Sequence, residues 1–374
     1  MPSFTCTRTD LLNPLKTLSL LCRHGTNPCR LTAKDTTLFI KCAGSFFWYR
    51  ASLPLSSPWT ADSLVIHPYA LAEFLGALRA DTIAGTVKAR TLVISAPTPS
   101  GTTSSITLPL LDPDRLDPAP TLPDAINACT LEFSHAQELS RLLPFVAKSD
   151  ATGRGLDHVF FQVEQHPAPV LRALASDGYR LSSLTLPIQT EGSDTCLLPA
   201  PALKAFLADI AHHDPDVPLR LDSAREGCLL STQRTQLSVP RPQYRYPDVA
   251  KILASFPTRP AIALEVPREE LLAAVKRVLA VHTDSRAVVT LHAKRDHLLI
   301  ATLDHSTGSA RHSLPLACPA ARPFQFTGSY LLDALKAFRG ETIAIASESP
   351  TSMFHFRAPD DPVFSHVLMP IANS

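Results

Sequence analysis

PREELLAAVKRVL (267–279) reads as an amphipathic helix. Leu271, Leu272, Val275, Val278 and Leu279 follow i, i+3/i+4, i+7 spacing, which puts them on one face. Pro267 stands at the entry, where a missing amide N–H costs nothing, and Glu269 and Glu270 lie in the first turn, where the helix dipole favours acids. Lys276 and Arg277 come later, opposite the apolar stripe.

The same spacing recurs in five other segments. Leu11, Leu12, Leu15 and Leu18 carry the first, Leu71, Phe74, Leu75 and Leu78 the second, and Leu139, Leu142, Leu143 and Val146 the third. Leu203, Phe206, Leu207 and Ile210 carry the fourth, and Leu331, Leu332, Leu335 and Phe338 the last. Pro68 and Pro201 also mark helix entries, and Ser134 followed by Gln137 is a candidate capping box. Pro144 should kink or shorten the third helix.

The helices recur about every 60 to 67 residues, a spacing that marks an internal repeat. Between them run strand-like segments: TTLFIKC (36–42), TLVISA (91–96), HVFFQVE (158–164), AVVTLHA (287–293), HLLIATLD (297–304), TIAIASES (342–349) and SMFHFRA (352–358). The expected class is α+β, with three similar domains of two helices packed on antiparallel sheets. Their expected bounds are 1–125, 126–256 and 257–374. The proline-rich LLDPDRLDPAPTLPDA (110–125) and SFPTRPA (255–261) fall at the joints. Six like units suit a closed or curved assembly, with a stacked solenoid as the alternative.

A chain of 374 residues exceeds one ordinary core. Its 45% hydrophobic and 18% charged residues are ordinary for a globular protein, and no apolar run is long enough for a membrane span. The N-terminus lacks the pattern of a signal peptide. The eight cysteines have neither C-x-x-C pairing nor histidines at zinc spacing, which fits reduced thiols in the cytoplasm. With a formal net charge of +1, any DNA-binding surface must arise locally. The helices supply candidates: Lys16, Arg79, Arg141, Lys148, Lys204, Lys276, Arg277, Lys336 and Arg339. Such sparse cations meet phosphates without reading bases. A simply solvated face is the bland alternative.

ALASDGYRLSSLTLPI (173–188), PQYRYPDVAKIL (242–253), TGSYLLDALKAF (327–338) and HVLMPI (366–371) resemble, in order and spacing, motifs of the bacterial DNA polymerase III beta subunit family. FTCTRTDLLNPLKTL (4–18) and VIHPYALAEFLGAL (65–78) look like its opening elements, while CAGSFFWYRASLPL (42–55) departs from its usual pattern. The resemblance implies a ring-forming sliding clamp without catalytic chemistry or cofactor: a head-to-tail homodimer around duplex DNA. Its implied partners are DNA polymerase and other proteins with clamp-binding motifs, and a clamp-loader ATPase that opens the ring.

The family's partner-peptide cleft carries over to Leu156, Ser176, Gly178, Tyr179, Arg180 and Leu181 on one side. On the other it carries over to Pro247, Lys251, Ile252, Tyr330, Thr351, Met353, Val367, Met369, Pro370 and Ile371. Apolar pockets with polar rims suit peptides that insert hydrophobic anchors, and methionines adapt to several of them. Ring closure is implied at Ile106 and Leu108 on one side and Leu279 and Val281 on the other. Ordinary core packing is the alternative for all of these. In this reading Arg154 sits on a loop near DNA.

Two clusters resemble chemistry. HHDPD (212–216) has metal-ligand types but follows a helix as a solvated turn would. SDATGRG (149–155) lacks the Gly-Lys-Ser/Thr of a phosphate-binding loop. No metal site is expected. The rival readings are a non-encircling adaptor or inhibitor that binds polymerase peptides, and a metal-dependent nucleic-acid hydrolase built on HHDPD.

Overall fold

Thr7 ends the strand Ser3–Thr7 and caps the helix that follows, its hydroxyl accepting from the Asp10 amide at 3.1 Å. The computed structural model describes residues 3–22, 27–59, 63–113, 127–165, 167–190, 192–211, 217–224, 226–244, 246–255, 258–282, 284, 287–304 and 308–371. Its helices are α1 (Arg8–Leu21), α2 (Pro68–Ala77), α3 (Phe133–Glu138), α4 (Ala200–Ile210), α5 (Ala250–Ala254), α6 (Arg268–Leu279) and α7 (Gly328–Ala337). The apolar stripes of α1 and α4 are buried as the periodicity requires, as are Leu271, Leu272, Val275 and Val278 of α6, at roughly 1.5–3 kcal/mol for each fully buried side chain.

One expectation about helices is met and another needs correction. The third helix is shortened, as Pro144 implies: α3 is six residues long and gives way to a 3-10 segment, Leu139–Phe145. Pro144 has no amide for the carbonyl four residues back and its ring crowds that carbonyl, so the last turns tighten. Ser134 and Gln137 form no capping box, because α3 starts at Phe133 and Glu132 takes the cap position without a side-chain bond. The five-residue α5 is an addition to the expected set.

The chain divides into two compact units. The first comprises Met1–Ser140, Val163–Pro169 and Pro187–Pro242. One of its sheets runs in the order Ser3–Thr7, Thr82–Lys88, Thr91–Pro97, Thr103–Pro109, which leaves Thr103–Pro109 as an edge. The other has nine strands and crosses from the middle of the sequence to its beginning. There Thr235–Pro240 pairs antiparallel with Phe47–Pro54, joining Thr235 to Ala51 and Leu237 to Tyr49. Helix α1 packs on both α2 and α4. A buried polar link ties this unit together: Tyr49 and Thr235 both donate to Asp209 Oδ2, at 2.9 and 2.7 Å. Burial, then the Asp209 charge, pushes the Tyr49 phenol up, so it stays a donor.

The second unit comprises Arg141–Gln162, Val170–Leu186 and Gln243–Ser374. Its larger sheet orders Val170–Ser176, Arg180–Pro187, Phe364–Leu368, Phe354–Arg357, Thr342–Ser347 and Ile262–Pro267 side by side. Its smaller sheet runs Gly308–Pro315, His297–Asp304, Val288–Ala293, Phe324–Thr327, with Gly308–Pro315 at the edge. Phenylalanines join the two sheets: the Phe324 and Phe354 rings stack at 4.5 Å and Phe326 meets Phe354 edge-on at 5.0 Å.

One device occurs in each unit. Arg8 opens α1 and donates to the carbonyls of Leu75 and Ala80, 67 and 72 residues further on. Arg268 opens α6 and donates to those of Leu335 and Gly340, again 67 and 72 residues further on. In both, a guanidinium fork closes the C-terminal end of the next helix of the repeat, where carbonyls lack partners.

Candidate partner-binding site

The site grows from a tight turn between the strands Val170–Ser176 and Arg180–Pro187. Gly178 adopts φ +92°, a conformation that L side chains rarely accept. The turn holds itself: Ser176 Oγ donates to the Arg180 carbonyl at 2.7 Å and accepts from the Gly178 amide at 3.1 Å. Asp177 Oδ1 accepts from the amides of Tyr179 and Arg180 at 3.1 and 3.2 Å. Tyr179 is therefore displayed outward, 64% exposed.

Arg180 points the other way and is 8% exposed. Its Nε donates to Asp177 Oδ2 at 2.8 Å, Nη1 to Asp333 Oδ2 at 2.9 Å and Nη2 to the Pro144 carbonyl at 2.8 Å. Its plane lies 4.1 Å from the Tyr330 ring centre and 5.1 Å from that of Phe145. Burial and the Asp177 charge raise the Tyr330 phenol, which stays neutral. The guanidinium thus fastens the turn, the 3-10 segment and α7 to one another.

Around this post lies a cavity of about 680 Å³. Leu143, Pro144, Val146, Ala147, Lys148 and Ser149 form one wall, Asp177, Tyr179 and Arg180 another, and Thr327, Ser329, Tyr330 and Asp333 the third. It can take an apolar anchor against Leu143 and Val146 and offer hydroxyls and a lysine to polar groups beside it.

The strand Phe364–Leu368 pairs antiparallel with Arg180–Pro187, setting Val367 opposite Leu181, and the Met369 amide donates to the Tyr179 carbonyl at 3.0 Å. Met369, 42% exposed, therefore stands beside Tyr179. Phe354 pairs with Leu368, so Met353 and Met369 flank the same end of that pair. Ile371 is tied by its amide to the Gln325 carbonyl, with Pro370 between. Leu156 lies against the turn, its Cδ1 3.9 Å from where a Cβ on Gly178 would be. Lys251 and Ile252 are on α5 and Pro247 just before it, with Lys251 exposed. Thr351 is exposed in the turn before Phe354–Arg357. Sequence reasoning missed Asp177, Asp333 and Pro144, whose common feature is Arg180.

Of the basic residues, Lys16, Arg79, Lys148, Arg154, Lys204, Lys276, Arg277, Lys336 and Arg339 are exposed. Arg141 is not, and the expectation for it is corrected. It is 8% exposed, pairs with Asp361, donates to the Ala337 carbonyl at 2.8 Å and lies over the Phe364 ring at 4.4 Å. The ring and the carboxylate hold the guanidinium inside, so Arg141 is a strut.

The loop bearing Arg154 is built around Asp150, whose carboxylate accepts from the Thr152 amide and hydroxyl and from the amides of Gly155 and Leu156. Burial alone would raise its pKa; these bonds outweigh that and lower it to about 2. The amides that would cradle a phosphate are spent on the protein's own acid. Ile106 and Leu108 lie on the edge strand Thr103–Pro109. Leu279 ends α6 and packs on Gly328, where a Cβ would sit 2.6 Å from its Cδ2, and Val281 follows, half-buried.

Ser182 Oγ and His366 Nδ1 are 2.8 Å apart, like a nucleophile and its base. Both are buried between sheet strands, and burial and then Arg180 lower the imidazole to about 3. No substrate reaches such a pair. His212–Asp216 lies outside the described residues. Among the described residues no three His, Cys, Asp or Glu side chains gather as metal ligands, and no helix is long and apolar enough to cross a membrane.

No curated protein matches the sequence. Residues 254–372 match the family model of the DNA polymerase III beta subunit, C-terminal domain. Over 100% of both chains, the structure is similar to the DNA polymerase III beta subunit of Thermotoga maritima at 18% identity and a TM-score of 0.87. It is likewise similar, at 18% identity over 100% of both chains, to the Pseudomonas aeruginosa sliding clamp bound to griselimycin (TM-score 0.85) and the Bacillus subtilis sliding clamp (0.82). The fold is that of the beta sliding clamps. The resemblance in the motifs is thus matched by fold over the whole length, including the opening region where the motifs are weakest. In the clamp fold the last third, where the family model matches, contributes Tyr330, Asp333 and Met369 to the site around Arg180.

Proposed function

We propose that this chain is a DNA sliding clamp: a cytoplasmic, non-catalytic processivity factor that works as a head-to-tail homodimeric ring around duplex DNA. The observation that carries this reading is the full-length likeness to beta clamps over 100% of both chains. Three clamp domains, 1–125, 126–256 and 257–374, are the proposed repeat, and the matched bonding of Arg8 and Arg268 supports a duplicated unit at the two ends.

Each unit has a free sheet edge, Thr103–Pro109 in one and Gly308–Pro315 in the other. Joining these edges between two copies would satisfy both and close the ring, with Ile106, Leu108, Leu279 and Val281 at or near the seam. The exposed cations Lys16, Arg79, Lys148, Arg154, Lys204, Lys276, Arg277, Lys336 and Arg339 supply weak phosphate contacts that allow sliding. The cleft around Tyr179, Arg180, Tyr330 and Met369 takes the binding peptides of a polymerase and other replication or repair proteins. A loader ATPase opens the ring.

Topology, not affinity, supplies the residence time in this reading. The test is retention on DNA: the loaded protein should stay on a nicked circle and leave once the circle is linearised. Equal retention on both forms overturns the ring. If peptide binding survives while the protein stays a monomer, the adaptor reading replaces it.

A further inference from the structure

We propose that Cys22 and Cys42 are a modification site: a thiol pair that a hydroperoxide closes into a disulfide. Their sulfurs are 3.8 Å apart and share a hydrogen bond, although 20 residues separate them in sequence. Cys22 is the C-cap of α1, its amide bonded to the Leu18 carbonyl, and Cys42 lies on the strand Thr37–Gly44. Both are buried, in one unit, so the pair is fixed by packing. A disulfide needs the sulfurs at ~2.05 Å, so oxidation has to draw them together from 3.8 Å.

The two thiols are not equivalent. The hydrogen bond from Cys42 lowers the Cys22 thiol and, with burial, pushes the Cys42 thiol up. Cys22 is therefore the attacking sulfur, and because both thiols are buried the oxidant has to be small. Cys29 pairs with Cys42 across neighbouring strands, but burial pushes its thiol up and keeps it protonated.

The step balances with hydrogen peroxide as oxidant. The Cys22 thiolate attacks one peroxide oxygen, the O–O bond breaks, and hydroxide leaves and takes up the Cys22 proton as water. The Cys42 sulfur then displaces hydroxide from the Cys22 sulfenic acid, forming S–S and losing its own proton to give a second water. Two thiols are oxidised and one peroxide is reduced to two waters. The product ties the end of α1 to the sheet and restricts the unfolded chain, which raises the melting temperature.

Trypsin leaves Cys22, Cys29 and Cys42 in separate peptides, 17–23, 24–30 and 42–50. The folded full-length protein is treated with hydrogen peroxide, its remaining thiols are alkylated in denaturant, and it is digested without reductant. The expected product is 17–23 linked to 42–50, two hydrogens lighter than the separate peptides, with 24–30 alkylated and the link reversed by dithiothreitol. Alkylation of both Cys22 and Cys42, a link from either to Cys29, or a disulfide formed only between other cysteines overturns the proposal. In the Cys42→Ala variant the Cys22 sulfenic acid should persist and be trapped by dimedone. Trapping at another cysteine instead overturns the assignment of Cys22 as the attacking sulfur.

Discussion

Arg180 Nη1 and Asp333 Oδ2 meet at 2.9 Å across 153 residues of chain, while the same guanidinium holds Asp177, 2.8 Å from Nε. Removing the cation leaves Asp177 shielded from water without its partner. Arg180→Ala should therefore lower unfolding free energy by about 3 kcal/mol, within the range for breaking a buried pair. Arg180→Lys keeps the charge but loses the fork, so it should fall between. Urea denaturation of the three proteins measures this; equal midpoints would remove Arg180 from its role as post.

Tyr179 should behave oppositely. Its ring is exposed and its turn is held by Ser176 and Asp177, so Tyr179→Ala should change stability by no more than about 0.5 kcal/mol. If the cleft binds peptides, the same change should weaken a fluorescent clamp-binding peptide by roughly tenfold, as loss of an aromatic anchor does. Fluorescence anisotropy reads the affinity directly, and unchanged binding would place the peptide elsewhere.

His366 sets a pH dependence. Its folded pKa is lowered from 6.5 to about 3, so between those values the unfolded chain binds more protons than the native one. That stability is fully present above about pH 6.5 and is lost as pH falls toward 3. The groups responsible are burial and Arg180, with Ser182 bonded to the ring. His366→Gln removes this titration, so the wild-type minus variant difference in denaturation midpoint should shrink as pH falls from about 6.5 toward 3. A difference that stays constant with pH would contradict the assignment.

Salt separates the cations. On nicked circular DNA, Lys276→Ala with Arg277→Ala should reduce the dependence of log K on log salt by up to about 0.9 for each phosphate left without a cation. Arg141→Ala should leave that slope alone and lower the melting temperature, because Arg141 serves Asp361. Matching slopes in both variants would argue against a role for α6 at phosphates.

Edge pairing gives a mass prediction. Ile106→Glu places a charge on the strand Thr103–Pro109, where an incoming strand would bury it. Light scattering should then show a fall from twice the chain mass to one, with circular dichroism unchanged. A persistent dimer would put the contact at another surface.

Periodicity made α1, α2, α4, α6 and α7 legible, because a buried stripe repeats locally whatever it packs against. At α3 periodicity alone overran the helix, and Pro144 was the signal that it would be shortened; α5 is too short to show a period. The bonds of the turn at Gly178 also lie within five residues, but Gly178 itself was legible only through the family resemblance. The partners of Arg180 and Arg141 were not legible. Asp333 and Asp361 lie 153 and 220 residues away, and an isolated arginine on an expected helix looks the same whether it faces water or a carboxylate. Arg8 and Arg268 hide in the same way, though their matched spacing of 67 and 72 residues is a periodicity that could be sought between residues rather than within helices.

The pairing of Thr235–Pro240 with Phe47–Pro54 has a consequence for taking the protein apart. A fragment that begins near residue 126 would carry Thr235–Pro240 with its neighbour missing, and one that ends near 125 would strand Phe47–Pro54 in the same state. Each would gain a sticky, hydrogen-bond-hungry border that invites aggregation. The repeat visible in the sequence is therefore not a set of interchangeable parts, and shuffling or excising its middle third would cut through continuous fabric.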